Sequence, residues 1–300
     1  MRYVVTGGTG LIGRALSASL AADGHDVVVL SRNPERAPAM ADGVHLVRWD
    51  ARTANGWGML ADGAEVIVNL AGASLRRRWT PRNKQLIRDS RLNAGQAVVD
   101  AVKRADAKPS AVIQASGAAC YGPRSDEIVT ETAEFGDGFL GRTAAQWEAS
   151  TAAVEAFDVR RAIIRIGIVL STEGGAFPLL ALPYRFFVGG PLGPGDQWLP
   201  WIHIEDEVRA IRFLIDNQAA EGPFNLSAPK PLTNAEFGRT MARVMGRPAL
   251  VRVPAFAVRL ALGQMSTVVL HGQRAIPKRL LDLGFTFRFP QAQAALRDLL

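Results

Sequence analysis

The residues best suited to chemistry in this sequence are the glycines of TGGTGLIG, residues 6–13. They follow the apolar run YVVT and precede a helical pattern, which is the setting in which such glycines bind a dinucleotide. Gly7 permits a tight turn, Gly10 lets the backbone approach a diphosphate, and Gly13 lets the helix pack closely on the strand. The segment predicts a diphosphate at the helix N-terminus, and a tight turn without a ligand is the alternative. The other contacts predicted in this segment are Thr9, Leu11 and Ile12.

The second apolar run, VVVL, is followed by Ser31 and Arg32. A fold that binds NAD usually has Asp or Glu at this place, where the carboxylate binds the ribose 2′-hydroxyl. A hydroxyl and a guanidinium suit a 2′-phosphate instead, because both can bind it by charge-assisted hydrogen bonds. The two residues therefore predict NADP(H) rather than NAD(H), and the alternative is an arginine on a solvated loop.

Three consecutive arginines, Arg76, Arg77 and Arg78, follow the apolar run VIVNL. Loops that follow parallel strands lie at the edge of an open sheet where ligands bind. A guanidinium at that edge could bind the phosphate or carboxylate of an anionic substrate. Arginine runs are more often solvated loops, so the sequence leaves both interpretations open.

The spacing of the apolar runs predicts the elements that position these residues. Short β-branched runs alternate with helical patterns in the first third of the chain. Further apolar runs follow at 111–116 and 162–170, with helical patterns at 81–105 and 142–157. Strands that are apolar along their whole length are typical of parallel sheets covered on both faces. The sequence therefore predicts an α/β fold with a doubly wound parallel sheet of the Rossmann type.

The division into domains follows from a change in composition. Residues 1–170 are predicted to form the Rossmann domain. Glycine- and proline-rich connections then begin, so residues 171–200 and 221–300 are predicted to form a smaller, loop-rich C-terminal lobe. The segment 201–220 contains a helical pattern with three acidic residues in its first turn and is expected to return to the first domain. A small-molecule ligand is expected in the cleft between the lobes.

Composition and charge exclude several classes of protein. The chain has 300 residues, 48% hydrophobic and 21% charged, which indicates a globular protein rather than a disordered or fibrous one. One cysteine and four histidines form no pattern of metal ligands, so no metal is expected. No segment predicts a secretory signal or a membrane span, so we expect a cytoplasmic protein without a membrane partner. The net charge of +7 lies mostly in the first 110 residues. Because no nucleic-acid-binding motif accompanies it, this charge favours a phosphorylated small molecule over a nucleic acid partner.

Longer motifs carry a resemblance to a known family. TGGTGLIG, VNLAG and the Ser-x-x-x-x-Tyr-Gly run that starts at Ser116 resemble the extended short-chain dehydrogenase/reductase superfamily. The segments 76–93, 189–207 and 271–290 resemble its atypical branch, the epimerase family proteins. In that branch an NAD-dependent epimerase/dehydratase-like domain precedes a C-terminal domain of unknown function. The resemblance covers essentially the whole chain.

The resemblance implies further contacts with the cofactor. Leu70, Ala71 and Gly72 would lie beside its ribose and diphosphate. Asp50 would face the adenine, and Gly167 would lie near the nicotinamide. For each of these residues the alternative is packing at the end of a strand.

The superfamily's usual catalytic pair is absent. It is Tyr-x-x-x-Lys, in which the lysine lowers the pKa of the tyrosine so that the phenol can exchange a proton. Here no lysine stands four residues after Tyr3, Tyr121 or Tyr184. Ser116, Tyr121 and Glu148 are the candidate substitutes, able to bind a substrate oxygen or to exchange a proton. The alternatives are a hydroxyl that touches the cofactor, a packed ring and a solvated carboxylate.

Two functions are consistent with these features. The first is an NADP(H)-binding oxidoreductase or epimerase-like protein that transfers hydride to or from an unidentified small substrate, for which an anionic group is one prediction. The second is a non-catalytic NADP(H)-binding sensor or scaffold, which the missing Tyr-Lys pair favours. The sequence indicates neither the substrate, nor the direction of the reaction, nor the oligomeric state.

Overall fold

The computed structural model describes residues 1–300 and contains thirteen strands and ten α-helices. The strands, in chain order, are β1 (Arg2–Thr6), β2 (Asp26–Ser31), β3 (Val44–Arg48), β4 (Val66–Asn69), β5 (Ala111–Gly117), β6 (Ile128–Val129), β7 (Arg160–Ile166), β8 (Ile168–Leu170), β9 (Trp198–Leu199), β10 (Trp201–His203), β11 (Gly222–Leu226), β12 (Leu232–Thr233) and β13 (Arg274–Ala275). The helices are α1 (Leu11–Ala22), α2 (Pro81–Arg104), α3 (Phe139–Ala149), α4 (Phe177–Arg185), α5 (Ile204–Asp216), α6 (Asn234–Met245), α7 (Ala255–Leu262), α8 (Ser266–Leu270), α9 (Lys278–Asp282) and α10 (Ala292–Leu299).

Seven strands form one parallel sheet in the order β11-β7-β5-β4-β1-β2-β3. Successive residues of a strand point to opposite faces, so Val5 and Ile113 lie in the core beneath α1 and α5, whereas Val4 and Val112 lie in the core beneath α2. Both faces are covered, which confirms the predicted doubly wound Rossmann sheet. The strand order reverses between β1 and β4, and open α/β sheets bind their ligands at such a point.

A second, smaller core holds the C-terminal lobe together. Phe177 of α4, Phe237 of α6 and Leu296 of α10 pack in it around the fully buried Trp201. Two short ladders, β8 with β10 and β6 with β13, connect segments of the Rossmann domain to later parts of the chain, and a third, β9 with β12, lies within the C-terminal lobe. None of the ten helices combines the length and the apolar character needed to cross a bilayer.

One strand of the central sheet lies beyond the predicted domain boundary. Residues 221–300 were expected in the smaller lobe, but β11 pairs with β7 at the edge of the central sheet. The sequence of β11, GPFNL, contains Gly, Pro and Asn, which are typical of turns. Pro223 is tolerated because an edge strand leaves N–H groups without partners. The predicted boundary at residue 220 was therefore wrong, because residues 222–226 belong to the central sheet.

Helix α5 packs against α1, which is the return to the first domain expected of residues 201–220. The guanidinium of Arg212 donates to the carbonyl and the hydroxyl of Ser19, at 3.2 and 2.7 Å, and pairs with Asp23. These contacts join α5, which lies between the two segments of the smaller lobe, to α1, the helix that follows the glycine turn.

The apolar run at 162–170 is divided between two sheets. β7 and β8 separate at Gly167, whose N–H donates to the carbonyl of Leu226, whereas the next N–H donates to the carbonyl of Pro200. A Cβ on Gly167 would lie 2.1 Å from that Pro200 oxygen, so this crossing needs a glycine. The helical pattern at 142–157 is also divided, because α3 covers its first part and a 3₁₀ turn covers its end.

Candidate functional site

The glycine turn between β1 and α1 has the geometry that its sequence predicts. Gly7 has a φ of +67°, and a Cβ on it would lie 2.7 Å from the carbonyl carbon of Leu70. A Cβ on Gly13 would lie 2.5 Å from the Cα of Gly8. The N–H of Gly10 donates to the carbonyl of Gly7 at 3.0 Å, which closes the turn. A side chain at Gly7 would press on the segment that follows β4, and one at Gly13 would press α1 away from the turn.

The N-terminus of α1 is open to a ligand. Gly10 is its N-cap, no side chain caps the helix, and its first turn contains no acidic residue. A Cβ on Gly10 would meet only the Gly7 carbonyl, at 3.2 Å, so the space above it is free. The first N–H groups of a helix lack acceptors within it and carry a partial positive charge. This end of α1 therefore fits a diphosphate.

A cavity of about 410 Å³ lies over the turn, and we call it the first cavity. Apolar groups, Trp147 of α3 among them, form most of its wall, and Ile166, Gly167 and Ile168 are part of that wall. The predicted cofactor contacts that line it are Gly7, Gly10, Leu11, Ile12, Gly13, Leu70 and Gly167.

Ser31 and Arg32 lie at the same edge of the sheet, at the end of β2. The Ser31 hydroxyl accepts the N–H of Asn33 at 3.3 Å. Arg32 is exposed, and only its backbone carbonyl is engaged, by Arg48. The nearby carboxylate of Glu35 is paired with Arg48 at 2.9 Å. The Arg32 guanidinium is thus free of protein partners and can bind an anion.

Asp50 follows β3 at this edge and shapes its own turn. Its carboxylate accepts the N–H groups of Arg52 and Thr53, at 2.8 and 2.9 Å, and the Thr53 hydroxyl at 2.8 Å. Slight burial acts to raise the pKa of Asp50, but these hydrogen bonds outweigh it and lower the pKa. The side chain therefore stays ionised at the edge where the adenine was expected.

The remaining predicted cofactor contacts are close to the first cavity without lining it. The N–H of Ala71 donates to the Thr6 hydroxyl at 3.3 Å, which fixes the chain after β4. Thr9 is part of the glycine turn, and Gly72 is exposed after β4. All three lie along the carboxyl edge of the sheet.

A buried cation without a carboxylate partner lies behind this edge. Arg91 of α2 donates to the carbonyls of Ala73 and Ile87, at 3.1 and 2.9 Å, and its guanidinium lies 4.7 Å from the ring centre of Trp147. A Cβ on Gly72 would be only 3.0 Å from its Cζ. Burial lowers the pKa of Arg91 to about 10. Its charge favours an anion in the adjoining cleft, because no acidic side chain neutralises it.

The three candidate catalytic residues belong to one buried network, which we call the Glu148–Arg165 network. The Ser116 hydroxyl donates to Glu148 at 2.6 Å. Arg165 donates to both Glu148 oxygens, at 2.9 and 3.0 Å, and to the Tyr121 hydroxyl at 3.0 Å. Tyr121 in turn donates to the side chain of Asn225 at 2.6 Å. All five residues are buried, and burial, only partly opposed by Arg165, raises the pKa of Tyr121 well above its ordinary value.

A second cavity, of about 590 Å³, lies between the central sheet and the C-terminal lobe. It shares the wall from Ile166 to Ile168 with the first cavity. Its other walls come from the start of α2, the loops that follow β5 and the segment around α8. No Asp or Glu lines it, and its titratable side chains are Lys84 and His271. No group of three or more His, Cys, Asp or Glu is placed to hold a metal ion.

The structure places the candidate catalytic residues beside the cavities but not in them. Ser116, Tyr121 and Glu148 line neither cavity. Their sequence neighbours do, since Gly117 lines the second cavity and Trp147 lines the first. The Glu148–Arg165 network thus supports the residues that form the walls.

The arginine run is exposed and lines neither cavity. Its flanking residues Leu75 and Trp79 do line the second cavity. The Nε of Arg78 lies 3.8 Å from the position that a Cβ on Gly263 would occupy, next to a cavity residue, Gln264. The run is therefore at the rim of the second cavity.

Five polar residues of the second cavity were not singled out from the sequence. Only one of them had a usable signal, because Lys84 stands in the first turn of a predicted helix that follows the arginine run. The other four come from a C-terminal segment with no chemical pattern of its own. The five residues are Lys84, Gln264, Thr267, His271 and Gln273.

Comparison with known proteins agrees with this geometry. The sequence profile of the NAD dependent epimerase/dehydratase family matches residues 3–165, and that of a domain of unknown function, DUF1731, matches residues 253–299. The chain is 42% identical to epimerase family protein SH2119 of Staphylococcus haemolyticus, over 100% of this chain and 99% of that protein. It is 39% identical to epimerase family protein YfhF of Bacillus subtilis, over 100% and 98%. The crystal structure of human epimerase family protein SDR39U1 (isoform 2) with NADPH superimposes with a TM-score of 0.88 at 32% identity, over 100% of this chain and 99% of that one.

Proposed function

The chain belongs to the NAD-dependent epimerase/dehydratase family, and on this premise we propose that it is an NADP(H)-dependent oxidoreductase acting on a small organic substrate. The observation that carries the proposal is the wall from Ile166 to Ile168, which the two cavities share. A nicotinamide in the first cavity and a substrate in the second would meet there. Gly167 has no side chain to separate them.

The residues present fit NADP(H). The glycine turn and the N-terminus of α1 would hold the diphosphate, and Gly167 would lie beside the nicotinamide. Ser31 and the unpartnered Arg32 would bind the 2′-phosphate, since no free carboxylate is available there for a 2′-hydroxyl. The NADPH in the human relative supports the same choice.

When bound, the nicotinamide would exchange a hydride with a carbonyl or alcohol carbon. The chain's own contribution is orientation and the exclusion of water. Trp147, Ile166 and Ile168 supply apolar walls where the two molecules would meet. We assign the Glu148–Arg165 network to holding these walls in place, because its polar groups are already bonded to one another.

A non-catalytic NADP(H) sensor is the second candidate, and one observation favours it. Ser116, Tyr121 and Glu148 are the proton-exchanging groups expected from the sequence, and all three are buried away from both cavities. A sensor would need no such group. The size of the second cavity favours the enzyme, because a protein that binds only a nucleotide needs no second ligand site.

Two measurements test the proposal. Calorimetric titration of the nucleotide-free protein should show NADPH binding more tightly than NADH by at least about tenfold. The NADPH-loaded protein would then be mixed with a panel of 2-oxo acids, aldehydes and sugar phosphates while the nicotinamide absorbance is followed. Oxidation that depends on one compound supports the enzyme. Tight binding with no oxidation supports the sensor, and no binding of either nucleotide refutes both.

A further inference from the structure

We propose that the second cavity binds its substrate by an anionic group, with Lys84 and His271 as the charged and polar contacts and Gln273 as a hydrogen-bond donor. The substrate would then be a small carbonyl compound or alcohol that carries a carboxylate or a phosphate. This inference rests on the proposed function, because the same molecule would meet the cofactor at the wall from Ile166 to Ile168.

Lys84 is the cation of the cavity. It stands in the first turn of α2, is half-buried, and has no carboxylate partner in the protein. Its ammonium lies 5.1 Å from the ring centre of Phe139, another cavity residue. With no Asp or Glu in the lining, nothing in the cavity balances this charge. An anionic group on the ligand would balance it.

Gln273 is an independent sign of a ligand. The residue is nine-tenths buried and lines the cavity, and its side-chain amide makes no hydrogen bond within the protein. An amide that faces a cavity with its donors and its acceptor unused can bind a polar group of a ligand there. The preceding residue, Gly272, is packed so closely that a Cβ on it would lie 1.9 Å from the Trp198 carbonyl oxygen. The amide is therefore held in place with its donors unused.

His271 and Arg78 extend the same positive character towards the solvent. The imidazole of His271 has no hydrogen-bond partner in the protein and lines the cavity. A histidine donates a ring N–H in either protonation state, so it can bind an anion in both. Arg78 lies at the rim beside Gly263 and adds to a field that attracts anions.

The rest of the lining indicates the body of the substrate. Trp79, Phe139 and Trp198 present aromatic surface, and Leu75 and Val268 present aliphatic surface. Such a wall suits an apolar or flat group between the anion and the reacting carbon. A highly hydroxylated or strongly basic molecule would find few partners in it.

The test compares matched ligands on the NADP(H)-loaded protein by calorimetry. The probes are phenylpyruvate, its neutral methyl ester and phenyl phosphate. The variants are Lys84→Met and, as a control, Arg82→Met, which removes an exposed cation from the same helical turn but outside the cavity. Affinity for NADPH is measured for each variant, so that loss of the cofactor site is recognised separately.

We expect at least one of the two anions to bind more tightly than the ester, by about tenfold or more, and Lys84→Met to abolish that difference. Arg82→Met should keep it. Gln273→Leu should weaken the anions with no change in NADPH affinity. Preference for phenylpyruvate indicates a carboxylate substrate, and preference for phenyl phosphate indicates a phosphate. The inference is overturned if the ester binds as tightly as both anions. It is also overturned if Lys84→Met and Arg82→Met have the same effect on anion binding. Either result counts even when the protein still binds NADPH.

Discussion

Glu148 of α3 and Arg165 of β7 form a two-point ion pair, with Nε to Oε1 at 2.9 Å and Nη2 to Oε2 at 3.0 Å, and both side chains are more than nine-tenths buried. The pair ties α3 to β7, the second strand from one edge of the central sheet. The Glu148 carboxylate, which the sequence suggested as a proton-exchanging group, is therefore already bound by Arg165. Its energetic role can be measured directly.

Replacing Glu148 with Gln should destabilise the fold by about 3–5 kcal/mol, because Arg165 would be left buried without its counter-charge. Urea unfolding measures the effect. The matched control is Glu155→Gln, which breaks a pair with Arg161 in which the carboxylate side chain is 55% exposed. That control should cost less than about 1 kcal/mol. Similar losses in the two variants would contradict the buried role of the pair.

Replacing Arg32 with Ala should weaken NADPH binding by tenfold or more, since the bonds from a guanidinium to a phosphate are each worth about 1.5–3 kcal/mol. NADH has no 2′-phosphate, so its affinity should change by less than about twofold on the same argument. Calorimetry with both nucleotides measures this. The control is Arg36→Ala, another exposed arginine shortly after β2. Equal losses for NADPH and NADH would show that Arg32 does not select the cofactor.

Replacing Gly7 with Ala should cost more than replacing Gly24 with Ala. Both glycines have a positive φ, +67° and +79°, so each substitution carries about 1–2 kcal/mol of backbone strain. Around Gly24 there is nothing within 4 Å of an added Cβ, whereas at Gly7 the added atom would press on the backbone of Leu70 at 2.7 Å. We expect a further cost of about 1–3 kcal/mol at Gly7. Urea unfolding of the two variants measures the difference. Equal losses in the free energy of unfolding would show that the glycine turn accommodates a methyl group at Gly7 without added strain.

Glu207 of α5 should make the protein less stable as the pH rises. It is fully buried, neither of its oxygens has a hydrogen-bond partner, and burial raises its pKa well above the ordinary value. In the unfolded chain a glutamate ionises near pH ~4.3. Between that pH and the folded-state pKa, unfolding releases a proton, so the free energy of unfolding falls by up to about 1.4 kcal/mol per pH unit.

Glu207→Gln removes this ionisation and should give a flatter stability profile, with a gain over the parent that grows from pH ~5 upwards. Urea unfolding across the pH range measures it. Glu134→Gln changes an exposed carboxylate and serves as the control. Its profile should run parallel to that of the parent, and a parallel profile for Glu207→Gln as well would show that the buried carboxylate is ionised in the folded protein.

The sequence was a good guide where one local segment determines the structure. The glycine turn, β1, β2 and α2 were predicted from their own residues, because a glycine turn, a buried strand or a long helix leaves a local pattern in the sequence. The break at Gly167 was not predicted. The residues on both sides are apolar, and the break arises from the approach of Pro200, which is distant in the chain.

The same reason limits what could be predicted of the site. Glu148 was expected to be catalytic or solvated, and its partner Arg165 lies on a strand whose register with β5 cannot be read from either segment. The second cavity brings Lys84 together with Gln273, residues that only the folded C-terminal lobe makes neighbours. Local patterns thus predicted the glycine turn that opens into the first cavity, whereas tertiary contacts determined the lining of the second cavity.

At Gly167 the backbone hydrogen bonds change from β11 to the segment that contains Pro200, and this change has a mechanical consequence. There the chain leaves the large sheet for the small ladder of β8 and β10, and there too the two cavities adjoin. Gly167 is therefore both the point where the chain passes from the large sheet to the ladder and part of the wall that the two cavities share. Under the proposed function, a tilt of one lobe against the other would change the distance between a cofactor in the first cavity and a substrate in the second, so the packing of the lobes would set that distance.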